Sequence, residues 1–160
     1  METKAIETPI CPCDVQRVKN RVALAPVLRA GLGMVEGFLT VLPDARVIHV
    51  GLARDEKTLE PVEYYNKFPC TCDCDTALIL DPMLATGGTA IATIRRMKEW
   101  GVKHVKFMCI LASHVGIERI ASTYGDVEIY CAGIDESLNE KGYIVPGLGD
   151  AGDRQYNGGC

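Results

Sequence analysis

Short apolar runs of β character alternate with stretches of helical periodicity along most of the chain, and this alternation restricts the fold more than any other feature. Arg21 to Leu28 (RVALAPVL) reads as a buried strand; Leu32, Val35, Leu39 and Leu42 then mark one helix face, closed by Pro43 and Asp44. Arg46 to Ala53 is the next strand and Thr76 to Asp81 another, followed by a Gly-rich loop and a helix from Thr89 to Trp100 that Gly101 stops. A strand over His104 to Leu111, a helix around Gly116 to Tyr124 and a strand over Val127 to Ala132 complete the series. Consecutive strand–helix units predict an α/β domain, a parallel sheet with helices on both faces. In such sheets ligands bind at the carboxyl ends of the strands, so chemistry is expected there.

Two segments depart from the alternation. Arg54 to Pro69 is charged and aromatic and longer than a typical connection, which predicts a flap. From Asp135 onward the chain is rich in glycine and aspartate, and Gly142, Gly147, Gly149 and Gly152 imply close backbone approach or positive φ. With 160 residues and a net charge of −4, the chain suits one domain with a real core and no broad basic face for nucleic acid. No apolar run reaches the ~18 residues of a membrane span and no signal-peptide core is visible, so no membrane partner and a cytoplasmic setting are expected. Eight cysteines fall short of a disulfide scaffold. Cys109 and Cys131 read as small core residues, and Cys11, Cys13, Cys70, Cys72 and Cys74 as accessible thiols, because C-x-C spacing chelates zinc poorly. Cys160 reads as a tail thiol, and His49, His104 and His114 as structural.

The sharpest local signal is LILDPMLATGGTA, in which a buried strand ends in Asp81 and Thr86, Gly87, Gly88 and Thr89 open a helix. Small residues at a helix N-terminus expose backbone N–H groups to an anion such as phosphate, and the helix dipole adds positive potential. Thr86 and Thr89 add hydroxyl donors, while Asp81 could accept hydrogen bonds from sugar hydroxyls. An ordinary turn with Thr89 as N-cap is the competing account. No lysine follows the glycines, which disfavours an NTPase. Gly31 to Gly37 reads G-x-G-x-x-x-G, one residue too long for a dinucleotide fingerprint. Arg29 and Arg54 stand at carboxyl ends of strands beside the loop, and two arginines there suggest a ligand with more than one phosphate.

PVLRAGLGM (Pro26 to Met34), RDEKTLEPVEYY (Arg54 to Tyr65), LDPMLATGGTA (Leu80 to Ala90) and GYIVPGLGDAGDR (Gly142 to Arg154) occur in that order. From about Val22 to Arg154 the chain resembles the uracil phosphoribosyltransferase family. The resemblance implies a type I phosphoribosyltransferase fold, with a flap at 54–69 and a base-recognition segment at 135–156, in a single domain over 1–160. It also implies transfer of a phosphoribosyl group from 5-phospho-α-D-ribose 1-diphosphate to uracil, giving UMP and diphosphate, with Mg²⁺ held mainly through the substrate diphosphate rather than by a protein metal site. By the same resemblance Asp81, Pro82, Met83, Leu84, Ala85, Thr86, Gly87, Gly88 and Thr89 form the ribose 5-phosphate loop, with Asp81 holding ribose hydroxyls. Arg29 and Arg54 match diphosphate contacts, and Asp150 a residue beside the donor's ribose and diphosphate. Asp81, Arg29 and Asp150 are thus the implied catalytic group, and Ile144, Gly149, Asp150 and Ala151 the implied uracil site. A homodimer or higher homo-oligomer is implied as well. KAIETP (Lys4 to Pro9) resembles the stretch just before the family's first core strand, so residues 1–20 are the implied remnant of the family's N-terminal region; the several tens of residues usual ahead of it have no counterpart here, so exposed apolar surface is expected. A non-catalytic sensor of the ribosyl diphosphate or UMP on the same fold is the alternative. A purine preference is disfavoured by the C-terminal segment, and an RNA-binding regulator by the net charge.

Overall fold

The computed structural model describes residues 1–54, 61–66 and 68–158. In chain order its elements are β1 (Glu2–Glu7), β2 (Pro12–Arg17), β3 (Val22–Leu28), α1 (Leu32–Val41), β4 (Arg46–Val47), β5 (Val50–Arg54), β6 (Pro61–Asn66), β7 (Thr76–Leu80) and β8 (Met83–Leu84). There follow α2 (Gly88–Trp100), β9 (His104–Ser113), α3 (His114–Thr123), β10 (Glu128–Asp135), β11 (Ser137–Leu138), β12 (Ile144–Val145) and α4 (Ala151–Tyr156). The main sheet runs β10-β9-β7-β3-β5-β6, with β4 beside β3 and β8 beside β9. Its pairings are parallel except that β6 runs antiparallel to β5.

Side chains on a strand alternate between faces, and here both faces are covered. Ala23, Ala25 and Val27 of β3 and Ala77 and Ile79 of β7 meet Phe107, Ile94, Met97 and Ile120 in the larger core beneath α2 and α3. Leu24, Leu78 and Leu80 point the other way, under Val35, Phe38 and Leu39 of α1. The unbroken apolar run of β3 is the consequence. Each fully buried side chain such as Ile94 or Phe107 contributes roughly 1.5–3 kcal/mol of transfer free energy.

Several predicted boundaries shift for identifiable reasons. The strand expected over 46–53 is two strands, β4 paired with Ala23 and Leu24 and β5 paired with Val27 and Leu28. Pro26 lies between those pairs and has no N–H to give to the ladder. β9 extends to Ser113, and α3 begins at His114 rather than Gly116, because the Ser113 hydroxyl accepts the Gly116 N–H at 3.0 Å as an N-cap. Gly101 ends α2 in the left-handed region with its N–H on the Lys98 carbonyl, as its position after Trp100 predicted.

Residues 1–20 carry an antiparallel hairpin of β1 and β2, an addition to the expected strand–helix series; among the described residues these strands pair only with each other. Of the expected flap, residues 61–66 form β6 against β5, whereas residues 55–60 and 67 and the Arg54 side chain lie outside the described residues. Cys11, Cys13 and Cys70 are exposed, as expected, but Cys74 is buried and Cys72 half-buried. Both belong with Phe68 and Trp100 at the margin of the larger core, and burial pushes the Cys74 thiol up to about 11. The indole N–H of Trp100 donates to the Pro69 carbonyl at 2.9 Å. Cys109 is buried and Cys131 half-buried, and Cys160 lies outside the described residues. No helix among the described residues is long and apolar enough to cross a membrane.

Candidate active site

The carboxyl ends of β3 and β7 open on a cavity of about 480 Å³, a size suited to a small organic ligand. At the end of β3 the Leu28–Arg29 peptide is cis, and Gly31 follows in close contact with the backbone of β7. A Cβ at Gly31 would collide with the Leu80 carbonyl and lie 2.6 Å from the Val27 nitrogen. Glycine at this point therefore serves packing, and the approach brings Leu28, Arg29 and Ala30 to the same cavity as Asp81.

Asp81 leaves the tip of β7 and accepts the Met83 N–H at 3.2 Å. Burial raises its carboxyl to about 7, the nearby Asp150 carboxylate adds to the rise, and the Met83 N–H opposes it. The loop that follows is fixed from behind by α3. The Ser113 hydroxyl donates to the Ala85 carbonyl at 2.6 Å, and Arg119 Nη1 donates to the Thr86 carbonyl at 3.0 Å. A Cβ on Gly116 would lie 2.5 Å from the same Ala85 oxygen, so this approach of α3 requires glycine there. With these carbonyls engaged, the first N–H groups of α2 remain as orphan donors beside the cavity. Gly87 takes φ 77 at the N-cap, where no side chain caps the helix. The turn is therefore not the Thr89-capped βα connection that competed with the anion-loop reading; Thr89 lines the cavity instead.

A third segment closes the site. Gly142, Gly147 and Gly149 all adopt positive φ, as the glycine pattern predicted. The Gly147 N–H donates to Asp135 Oδ2 at 2.9 Å, which ties this loop to the end of β10. Asp150 N-caps α4, accepting the Asp153 N–H at 2.8 Å. Ile144, Gly149, Asp150 and Ala151 all line the cavity, with Tyr143 and Tyr64 beside them.

The structure thus brings Arg29, Asp81, Met83, Ala85, Thr89, Ile144, Gly149, Asp150 and Ala151 around one space. Pro82 and Leu84 are buried beneath it, and Thr86, Gly87 and Gly88 belong to the loop without lining the cavity. Ser113, Arg119 and Asp135, which hold the loops, were not singled out from sequence. Ser113 alone carried a signal, as a serine directly before a helix.

A family model described as uracil phosphoribosyltransferase matches residues 1–158. The chain belongs to the uracil phosphoribosyltransferase family. The uracil phosphoribosyltransferase of Roseiflexus sp. (strain RS-1) is 49% identical over 159 residues, which span 99% of this chain and 76% of that relative. A solved protein of Aquifex aeolicus superposes with a TM-score of 0.88 at 41% identity, covering 97% of this chain and 74% of the other. A purine phosphoribosyltransferase of Pyrococcus horikoshii shares the fold alone, with a TM-score of 0.54 at 19% identity over 74% of this chain and 70% of its own. The chain spans about three quarters of the length of the family relative it matches. The fold is that of the type I phosphoribosyltransferases.

Proposed function

We infer that this family member transfers the phosphoribosyl group of 5-phospho-α-D-ribose 1-diphosphate to uracil, giving UMP and diphosphate. The observation that carries this reading is the meeting in one cavity of Arg29, the Asp81–Thr89 loop and the Ile144–Ala151 segment. Each suits one part of the reacting pair. The orphan N–H groups at the start of α2 suit the 5-phosphate, with Thr86, Gly87 and Gly88 forming the loop and Pro82, Met83, Leu84 and Ala85 its buried or cavity-facing base. Asp81 suits the ribose hydroxyls, and Arg29, joined by Arg54, the diphosphate. Asp150 stands beside ribose and diphosphate.

Breaking the C1–oxygen bond builds positive charge on the sugar and negative charge on the departing diphosphate. Arg29 stabilises the latter, the Asp81 and Asp150 carboxylates face the former, and the remaining contribution is holding N1 of uracil against C1. Backbone groups of the Ile144–Ala151 segment are suited to pair with O4 and N3–H of the base.

Mg²⁺ fits this site. Two carboxylates, Asp81 and Asp150, line the cavity, the kind of partial shell Mg²⁺ accepts when substrate phosphates supply the rest. When bound, the ion neutralises charge on the leaving diphosphate.

The reading also includes a single phosphoribosyltransferase domain and a homodimer or higher homo-oligomer. Met1, Val18 and Val41, at 78%, 50% and 77% exposed, border one cleft together with Leu42, an apolar surface that self-association would cover. Eight cysteines in a chain with ample core suit a reducing, cytoplasmic compartment. Titration calorimetry tests the site. Magnesium ribosyl diphosphate is expected to bind one per chain, in competition with both magnesium pyrophosphate and UMP. Absence of binding, or binding indifferent to either competitor, contradicts it.

A further inference from the structure

Arg29 is held from the side of the cavity by the C-terminal helix. Its Nη2 donates to Asp153 Oδ1 at 2.6 Å, and Asp153 sits in the first turn of α4. Gly158 crowds the same guanidinium, and Gly152 stands at ordinary contact distance from it. A Cβ on Gly158 would lie 2.7 Å from Nη1, and one on Gly152 would lie 3.6 Å from Nη2 and 3.8 Å from Nε. Neither glycine has a left-handed φ, so backbone conformation alone does not require glycine there. Asn157 turns the chain at φ 50, and the Gly158 N–H returns to the Asp153 carbonyl at 3.0 Å, which lays the end of α4 over the arginine.

An arginine side chain has many rotamers, and the Arg29 side chain is 55% exposed. Without a tether it would sample solvent, and a ligand would have to order it on binding. Asp153 engages one of the five N–H donors of the guanidinium, leaving others for an incoming anion. The α4 that carries Asp153 also begins at Asp150 and Ala151, on the wall of the cavity.

We propose that Asp153 is a positioning residue, which fixes the Arg29 guanidinium for the substrate diphosphate, with Gly158 leaving the room that this geometry needs. The inference rests on the reading of Arg29 as a diphosphate contact. It assigns Asp153 a role through Arg29 and no contact with substrate.

Magnesium pyrophosphate, titrated calorimetrically into the full chain without uracil, is the probe. Asp153→Asn keeps the shape of the side chain and removes its charge, and is expected to weaken pyrophosphate binding about three- to tenfold, as loss of a partly exposed charged pair would. The donor KM rises by a similar factor while the uracil KM stays unchanged. In an Arg29→Ala background the same Asp153→Asn change has no further effect. Gly158→Ala retains the carboxylate, and so tests the cradle even if Asp153→Asn folds poorly; it too is expected to weaken pyrophosphate binding. Unchanged or tighter binding in either single variant overturns the proposal, since it would make Asp153 irrelevant or a competitor for Arg29. Equal weakening in the presence and absence of Arg29 also overturns it, as the mark of a general effect on α4. Should Arg29→Ala itself leave pyrophosphate binding intact, the diphosphate-contact reading fails, an outcome separate from the others.

Discussion

Asp81→Asn is expected to make the unliganded protein more stable at about pH 8 while lowering kcat/KM by roughly 10²-fold or more. Burial and the neighbouring Asp150 raise the Asp81 carboxyl to about 7, against an ordinary value near 3.8. A carboxyl whose pKa is raised by folding is more easily borne protonated. Its favourable contribution is present below the unfolded value and is lost as pH rises towards about 7, above which the folded protein carries the full cost of the ion. A rise from 3.8 to about 7 corresponds to an upper limit of about 4 kcal/mol. Residual hydration of the half-buried side chain reduces this, so a gain of roughly 1–3 kcal/mol is expected for the variant. Asparagine does not titrate, and it keeps an oxygen to accept the Met83 N–H. Urea unfolding of both proteins at about pH 8 and about pH 4 measures the difference. The variant's advantage should be present at the higher pH and largely gone at the lower. A variant less stable than the wild type at the higher pH would mean that the Asp81 charge is already compensated in the empty site. The opposed signs for stability and turnover mark a carboxylate placed for its ligand rather than for the fold.

The second large effect concerns the base. Uracil presents O4 as an acceptor and N3–H as a donor, and cytosine reverses the polarity at both positions. A pocket that pairs its backbone groups with uracil would leave them unpaired against cytosine, so discrimination is expected to be of order 10⁴ in kcat/KM. The loop is fixed enough to enforce this. Asp135 holds the Gly147 N–H, Asp150 caps α4, and Arg154 Nη1 donates to the Leu148 carbonyl at 3.2 Å. Competition between the two bases for a limiting donor, with products separated chromatographically, gives the ratio directly. A ratio below about ten would show that shape alone selects the base, as in an apolar pocket.

The sheet was legible because its strands are buried on both faces and therefore read as continuous apolar runs, and because Gly101 marks a helix end. The loop from Asp81 to Thr89 was legible because it combines a strand-end acid with glycines opening a helix. Three features left weaker traces. β1 and β2 are exposed and bury no apolar face, so no period-two pattern announced them. The break between β4 and β5 comes from Pro26 on a neighbouring strand, a tertiary cause invisible within residues 46–53. The contacts that hold the site, Ser113 and Arg119 on the loop and Asp153 on Arg29, join residues far apart in the chain, and no local spacing encodes them. The cysteines misled for a related reason. Cys74 lies in a polar-looking connection, yet this stretch packs against the core near Trp100.

The most direct measurement is the rate at which the purified chain converts labelled uracil and magnesium ribosyl diphosphate into UMP, with Asp81→Asn run beside it. The expected result is one UMP formed for each diphosphate released by the wild type, and near-complete loss in the variant. Donor binding without any UMP from the wild type would contradict catalysis and leave a sensor of the ribosyl diphosphate in its place.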